Sequence, residues 1–211
     1  MFSKLISKRI VSWLSAASLV AVCAAAQAAE VKAPDALIKE VSVDVLDSVR
    51  NDASIKAGDV QKVIALVDAK VMPHVNFQRM TAAAVGRYWR QATPEQQKGL
   101  QEQFKILLVR TYSGALAQVK DQTVQLKPMR SSPEDKEVVV KTEVRGKGDP
   151  IQLDYRLEKG DAGWKIYDVN VLGVWLVENY KNSFAQEIGA NGIDGLIAKL
   201  AERNKAAAAK S

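Results

Sequence analysis

The spacing of apolar residues changes once along this chain, from a helical period up to residue 120 to a period of two between Val124 and Val171. The segment from Ile151 to Glu158 shows the second period most clearly, because Ile, Leu, Tyr and Leu alternate there with Gln, Asp, Arg and Glu. Such alternation is typical of a strand with one buried face. The change of period therefore predicts an α+β fold, in which helices pack on one face of an antiparallel sheet.

The helical part is predicted to begin at Pro34 and to contain four helices. Thr93, Pro94 and Gln96 are typical of a helix start, with a capping box and a proline at the first helical position. The residues that follow place one apolar face on this helix, at Leu100, Phe104, Leu107, Leu108, Tyr112 and Ala115. The predicted helices span 34–51, 59–73, 76–88 and 94–120.

The sheet is predicted to be a four-stranded, curved antiparallel meander of NTF2-like or cystatin-like type that encloses an apolar cavity. Short turns at 146–150 and 159–163 favour hairpin connections. Two more helices, 174–190 and 193–205, are expected to close the chain, with a break at Asn191-Gly192. The predicted order is helical 34–120, sheet 122–171 and helical 174–205, with strands at 124–126, 138–144, 151–158 and 164–171.

The first 28 residues have the features of a cleaved secretory signal. A basic start at 4–9 precedes a short apolar run at 10–22, and Ala26-Gln27-Ala28 is the small-x-small pattern before a cleavage site. A lipoprotein signal at Cys23 is the alternative, but Val22 fits poorly where a small residue is required. We therefore expect an exported protein with one domain at 29–205 and a frayed tail at 206–211.

Removal of this signal changes the charge and the thiol content. It carries three basic and no acidic residues, so the net charge falls from +6 to +3. The single cysteine also leaves, which excludes disulfides, thiolate metal sites and thiol nucleophiles from the mature chain. The remaining basic excess favours anionic lipid headgroups over nucleic acid as a partner.

No set of residues in the sequence predicts catalysis, and we expect no enzyme, no metal and no cofactor. His74 is the only histidine, and its place beside Pro73 favours a solvated loop. The glycine-rich segment 145–149 joins two strands, so it is interpreted as a hairpin turn and not as a phosphate loop. Asp168 lies in an apolar strand; a carboxylate bound by backbone donors or an arginine is favoured over a functional acid.

Basic residues cluster around the third predicted helix and its exit. An ordinary solvated surface is the favoured interpretation, and a patch that faces headgroups or docks a partner is the alternative. The cluster comprises Arg79, Arg87, Arg90 and Lys98.

The segment Trp164–Phe184 carries a strand that turns at Gly173 into a helix, and both halves are rich in large apolar side chains. A small domain with this much apolar surface must either pack it solidly or wrap it around an apolar ligand. The residues alone leave both possibilities open.

Three blocks of the sequence resemble the MlaC family. They are VMPHVNFQRMTAAAVGRYWRQATPEQQKGLQEQFKILLVRTY at 71–112, GWKIYDVNVLGVWLVENYKNSF at 163–184 and NGIDGLIAKL at 191–200. The part GRYWRQATPEQ is the most specific. Two positions depart from the family pattern: Asn76 stands where aspartate is common, and Trp175 stands where a small residue such as serine is common.

The resemblance implies a periplasmic phospholipid-binding component of the system that maintains outer-membrane lipid asymmetry and toluene tolerance. Such proteins hold a diacyl phospholipid by its tails and pass it between two partners. These are an outer-membrane lipoprotein–porin complex and an inner-membrane ABC transporter with its substrate-binding domain. The bound phospholipid is cargo, and the carrier is expected to be a monomer that binds no nucleic acid. A ligand-free adaptor of a transport complex and a binder of hydrophobic solvents are the alternatives.

On this basis the lipid pocket is expected between the sheet, the long helix at 94–120 and the helix that follows the fourth strand. Each residue could equally belong to a solid core. In the fourth strand, Trp164 and Ile166 are expected to point away from Tyr167 and Val169. The predicted lining is Phe104, Leu107, Leu108, Tyr112, Leu153, Tyr155, Tyr167, Val169, Val171, Val174, Trp175, Val177 and Tyr180, with Arg79, Arg87 and Arg90 as headgroup or docking residues.

Overall fold

The structure is a computed structural model that describes residues 32–132 and 134–209. These residues belong to one compact unit, Val31–Ser211. The predicted signal segment at 1–28, with the alternative at Cys23, lies outside the described residues. The same holds for the last two residues of the predicted tail.

Six helices are present in the part of the chain that the structure describes. Their bounds agree with the predicted helices to within a few residues before the sheet, except that a short additional helix follows the first. A π-helical turn, Val67–Val71, and a 3-10 turn, Met72–His74, extend the third helix, and a 3-10 turn, Gly86–Gln91, follows the fourth. The helices are α1 Pro34–Asn51, α2 Ala53–Lys56, α3 Val60–Leu66, α4 Phe77–Val85, α5 Pro94–Ala117 and α6 Leu176–Ala208.

Side-chain caps explain why these helices begin where they do. The carboxylates of Asp52 and Asp59 accept hydrogen bonds from the first backbone N–H groups of α2 and α3. Asn76 caps α4 in the same way. Thr93 and Gln96 form the predicted capping box at the start of α5, which satisfies donors that the first helical turn leaves free.

Five strands form a single antiparallel sheet in the order β1-β2-β3-β4-β5. The predicted meander and α+β class are confirmed, but the expected count of four strands is wrong. The fifth strand is only two residues long and pairs with the end of β4, so the last helix begins at Leu176 and not at 174. The strands are β1 Thr123–Leu126, β2 Glu137–Arg145, β3 Ile151–Gly160, β4 Gly163–Val171 and β5 Val174–Trp175.

A β-bulge in β4 changes which side chains share a face. Tyr155 of β3 pairs with Val169, whereas Leu157 pairs with Ile166, so Tyr167 is the extra residue of the bulge. The bulge turns Ile166 and Val169 to the same face, because the extra residue reverses the alternation. The expectation that Trp164 and Ile166 point away from Val169 is therefore wrong, and it holds only for Tyr167.

Helix α6 contains the predicted break. Gly192 has a φ of 73° and a ψ of −179°, a conformation that only glycine adopts readily, and the helix kinks there. The segments on either side of the kink correspond to the two predicted C-terminal helices.

The helices cover one face of the sheet, which we call the inner face. Leu37, Ile38 and Val41 of α1 pack against a buried cluster that includes Leu157 and Ile166 of the sheet. A second cluster joins α4, α5 and α6, and a third joins the end of α1 to α2, α3 and α5. The opposite face of the sheet, which we call the outer face, carries mainly polar side chains.

Candidate functional site

Apolar side chains on the inner face of β3 become steadily less exposed along the strand. Ile151 at the start of the strand is 40% exposed, Leu153 and Tyr155 are half-buried, and Leu157 is 0% exposed. Helices cover the far end of the strand but not its beginning. The inner face is therefore open at the end of the sheet where β3 begins.

The neighbouring strand has the same gradient in the opposite chain direction, as expected for an antiparallel pair. Ile166 is buried, and Val169 and Val171 are half-buried towards the end of β4. Leu153 pairs with Val171 and Tyr155 pairs with Val169, so these four side chains form two adjacent rows on one face.

Helices α5 and α6 bring half-buried apolar residues to this same region. On α5, Phe104 is fully buried, whereas Leu108 and Tyr112, one and two turns later, are half-buried. On α6, Val177 is half-buried and Tyr180 is buried. Residues 118–122 connect the end of α5 to β1, whose first residue pairs with the end of β2, so this helix end lies towards the open end of the sheet.

The inner end of this region is solid. The ring of Phe104 lies 5.1 Å from Tyr180 in an edge-to-face arrangement and 5.2 Å from Phe184, measured between ring centroids. The ring centroid of Phe77, on α4, lies 5.8 Å from that of Phe104 and completes the cluster. Leu108, Val169 and Val177 pack against this cluster from the open side.

These gradients together define a candidate binding region, which we call the candidate pocket, with a floor and a mouth. The floor is the aromatic cluster around Phe104, together with Leu107. The mouth is bounded by the half-buried apolar residues of four elements, since a pocket for an apolar ligand is lined mainly by such side chains. The mouth residues are Leu108, Tyr112, Leu153, Tyr155, Val169, Val171 and Val177.

A separate cavity of about 200 Å³ lies at the other end of the sheet, near the start of α1. It is lined by Pro34, Ser131, Ser132, Lys159 and Trp164. Ligand pockets are commonly 300–1,000 Å³ and mainly apolar, so this small, partly polar cavity is a poor candidate for a large apolar ligand.

Two predicted lining residues lie on the outer face, and a third lies on a strand and not on the expected helix. The bulge places Tyr167 on the outer face, where the Arg79 guanidinium lies 3.6 Å from its ring centroid. Trp175 also lies under an arginine, with Arg156 at 3.8 Å from its ring centroid. Val174 is 49% exposed and belongs to β5. The prediction that Val174 and Trp175 close the pocket from a helix is wrong, because strand pairing with β4 delays the helix.

The favoured interpretation of Asp168 is confirmed. Its carboxylate accepts hydrogen bonds from the backbone N–H groups of Val169, at 2.9 Å, and Val177, at 3.1 Å. Arg156 lies 3.0 Å from the second carboxylate oxygen. Burial raises the pKa of Asp168, and the two backbone donors and Arg156 oppose that effect. Asp168 thereby ties β4 to β3 and to the first turn of α6.

The predicted basic residues separate into two groups. Arg79 binds Glu158 and donates to Glu137 at 2.6 Å, and this contact lowers the pKa of Glu137. Arg87 and Arg90 are exposed, and the Arg87 guanidinium lies 5.0 Å from the ring centroid of Tyr88. Arg79 therefore holds α4 against the sheet, and Arg87 and Arg90 form an open basic surface.

Other polar groups near the site have structural surroundings. His74 lies in the 3-10 turn before α4, where burial and nearby Lys165 lower its pKa. Burial raises the pKa of Tyr112, with a smaller effect from nearby Tyr180. Burial also raises the pKa of Tyr155, whose hydroxyl interacts with Ser42 and Thr142.

The described residues contain no group of three or more His, Cys, Asp or Glu side chains that could hold a metal ion. Within residues 32–132 and 134–209, the structure has no helix that is long and apolar enough to cross a membrane.

Four residues at the two ends of the site are absent from the predicted lining. Phe77 and Phe184 belong to the floor, and helical periodicity was the signal that could have indicated them. Ile151 and Leu172 border the mouth. The two-residue connection Leu172-Gly173 could have indicated a tight turn and a fifth strand.

Comparisons with known proteins agree with this architecture. Residues 39–202 match the sequence family described as MlaC protein. The toluene tolerance protein ttg2D of Pseudomonas putida is 30% identical over 128 residues, which are 57% of this chain and 59% of that protein. The chain therefore matches less than two thirds of the length of this relative.

A second relative is the intermembrane phospholipid transport system binding protein MlaC of Haemophilus influenzae. It is 22% identical over 171 residues, which are 79% of this chain and 80% of the relative. Among solved structures, the phospholipid-binding protein from Ralstonia solanacearum, in complex with a phospholipid, is 48% identical with a TM-score of 0.80. That match covers 82% of this chain and 98% of the other.

Proposed function

Because this chain belongs to the MlaC family, we propose that it is a periplasmic phospholipid carrier that shields acyl chains in its pocket and shuttles lipid between the two membranes. The observation that carries the proposal is the gradient of burial. Apolar side chains from β3, β4, α5 and α6 converge at one open end and become buried towards an aromatic floor. The phospholipid complex of the Ralstonia protein supports this assignment.

The energetics of lipid transfer explain why a carrier needs such a pocket. Each methylene group removed from water contributes about 0.8 kcal/mol, so two chains of about 15 carbons represent on the order of 20 kcal/mol. Because exposure of both tails to water costs this much free energy, a phospholipid cannot cross an aqueous gap unaided. The carrier must shield the tails, whereas the headgroup can remain in water.

The tails lie against the mouth residues on the inner face, and the floor limits how deeply they enter. Leu153, Val169 and Val171 form the sheet side, and Leu108 and Val177 form part of the helix side. Because Phe104, Leu107 and Tyr180 already fill the inner end, entry of two tails requires the helices and the sheet to separate at the mouth. Contact with a partner provides this opening, since so much buried surface would otherwise not be released.

The protein performs no catalysis and needs no cofactor beyond its phospholipid cargo. Shielding is a matter of apolar surface, and the polar groups near the mouth serve structure. Asp168 holds the start of α6, and Arg79 holds α4 to the sheet. Neither is free to act as an acid, a base or a nucleophile on a bound lipid.

Arg87 and Arg90 form the docking surface for a membrane complex, because they are exposed and basic. The partners are an inner-membrane ABC transporter complex with its substrate-binding domain and an outer-membrane lipoprotein–porin complex. The signal segment at 1–28 directs the chain to the periplasm, where it acts as a monomer.

Organic extraction of the purified protein followed by mass spectrometry tests the proposal. We expect phospholipid in stoichiometric amount. Leu108→Asp and Val171→Asp should remove it from a protein that remains folded by circular dichroism, because a carboxylate in the mouth opposes the tails. Val139→Asp is the matched control, since Val139 is 39% exposed on the outer face and should leave the lipid content unchanged.

Each other outcome identifies an alternative. A folded wild-type protein without lipid would contradict the carrier and favour a ligand-free adaptor. Extraction of small hydrophobic solvents in place of phospholipid would favour a solvent-binding protein. Loss of lipid in Val139→Asp, with retention in Leu108→Asp and Val171→Asp, would place the pocket on the other face.

A further inference from the structure

Three exposed aliphatic side chains stand together at the end of the sheet where the pocket opens. Ile151, Leu172 and Val174 are 40%, 65% and 49% exposed, respectively. Leu172 donates its backbone N–H to the carbonyl oxygen of Gln152 at 3.1 Å, and Val174 pairs with Val171. We call Ile151, Leu172 and Val174 the apolar rim. It continues the apolar surface of the mouth residues out to solvent.

The backbone at Leu172 is unusual for its residue type. Leu172 and Gly173 connect β4 to β5 with φ values of 52° and 90°, the pattern of a two-residue hairpin turn with positive φ at both central positions. Glycine, asparagine or aspartate is preferred at such positions, and a large side chain is disfavoured. A leucine here is disfavoured both by its backbone and by its exposure to water.

Both backbone N–H groups of this turn have hydrogen-bond partners within the protein. Besides the bond from Leu172 to Gln152, Gly173 donates its backbone N–H to the Asn170 side-chain oxygen at 2.8 Å. A turn whose N–H groups already have partners can leave water without exposing unpaired donors to an apolar phase. The turn at Leu172-Gly173 is therefore suited to contact with the hydrocarbon of lipid tails.

We infer that the apolar rim inserts into the surface of a phospholipid bilayer and holds the mouth of the pocket against the membrane. This inference rests on the proposed function, because it describes how the pocket meets its lipid. The rim is purely aliphatic, whereas hot spots of protein interfaces are enriched in Trp, Tyr and Arg and poor in Leu and Val. The connection before Ile151 carries one basic residue, Lys147, and one acidic residue, Asp149, and Arg145 at the end of β2 is paired with Glu143 at 2.7 Å. The rim therefore meets the bilayer through its aliphatic side chains and not through an excess of charge.

Flotation of the purified protein with vesicles of phosphatidylethanolamine and phosphatidylglycerol tests this inference. Wild-type protein should float with the vesicles. Leu172→Asn should fold, because asparagine accepts positive φ, and its vesicle partition should fall about tenfold, which corresponds to about 1.4 kcal/mol. The double variant with Leu172→Asn and Val174→Thr should bind the vesicles less than Leu172→Asn alone. Val139→Thr removes a comparably exposed aliphatic group from the outer face and should float like wild type.

Lipid extraction of the same preparations separates this inference from the proposed function. The inference predicts that Leu172→Asn keeps its copurified phospholipid and loses vesicle binding. A wild-type protein that carries phospholipid but does not float, or a Leu172→Asn variant that floats like wild type, would overturn the inference alone. Flotation that occurs only with vesicles containing a reconstituted transport complex would also overturn it, in favour of a protein partner.

Discussion

Replacement of Phe104 by alanine, compared with replacement of Leu108, measures where the solid floor ends and the mouth begins. Phe104 is fully buried and touches the rings of Phe77, Tyr180 and Phe184. Leu108 lies one helical turn later on the same face of α5 and is half-buried. The two substitutions therefore probe the same helix face on either side of the proposed boundary.

The burial of each side chain sets the expected loss of unfolding free energy. A Phe→Ala change in a close-packed core costs about 3–5 kcal/mol, and with three ring contacts Phe104 is expected in the middle of that range, at about 4 kcal/mol. Leu108 already exposes part of its surface to water, so its truncation should cost only about 1 kcal/mol. Both variants should still fold, because domains of this kind have about 5–15 kcal/mol of stability.

Urea unfolding of delipidated protein, followed by circular dichroism, measures both values. Removal of the lipid comes first, because bound lipid stabilises the folded state by mass action. With a slope of about 2 kcal/mol per molar urea, the midpoint should fall by about 2 M for Phe104→Ala and by about 0.5 M for Leu108→Ala. Equal losses for the two variants would refute a mouth at Leu108, and a loss below about 1.5 kcal/mol for Phe104→Ala would refute a close-packed floor.

Three further predictions concern the scaffold. Thr93→Ala removes the capping box of α5 and should lower the unfolding free energy by about 1 kcal/mol, measured by urea unfolding; an unchanged midpoint would contradict that role. Gly192→Ala should cost about 2 kcal/mol because of its backbone conformation, whereas Gly189→Ala, in regular helix with open space around it, should be neutral or stabilising; similar thermal midpoints for both would refute the kink. Because burial raises the pKa of Asp168, wild-type protein should lose stability relative to Asp168→Asn as pH rises through that raised pKa; a difference that does not vary with pH in urea titrations would contradict this.

Helix starts were predictable because their signals are local. The capping box of Thr93 and Gln96 and the cap at Asp59 involve residues two or three positions apart, so the chain encodes them without reference to the rest of the fold. The break at Gly192 was predictable for the same reason, since glycine marks positions with positive φ.

The candidate site was predictable only in part. Leu108, Leu153 and Val177 each belong to an apolar face with a regular period and are half-buried, and their contact with lipid stays a prediction. Tyr167 and Trp175 lie away from the inner face, although their residue types suit a pocket equally well. A bulge turned Tyr167 to the outer face, and no residue type or spacing marks it. A short strand did the same for Trp175, and the connection Leu172-Gly173 was the only local signal of that strand.

The class of the fold, the order of helices and strands and the apolar faces could all be predicted from the amino-acid sequence, because periodicity and caps depend on residues close together in the chain. Three outcomes could be known only from the folded protein. They are which residues of β4 lie on the inner face, which partners Asp168 binds and at which end the inner face stays open. These outcomes depend on hydrogen bonds and packing between β4, β3 and α6, which are distant in sequence or joined through a turn. The gradient of burial from Leu157 to Ile151 exists only once the helices lie on the sheet, because exposure is a property of the assembled layers and not of any one strand.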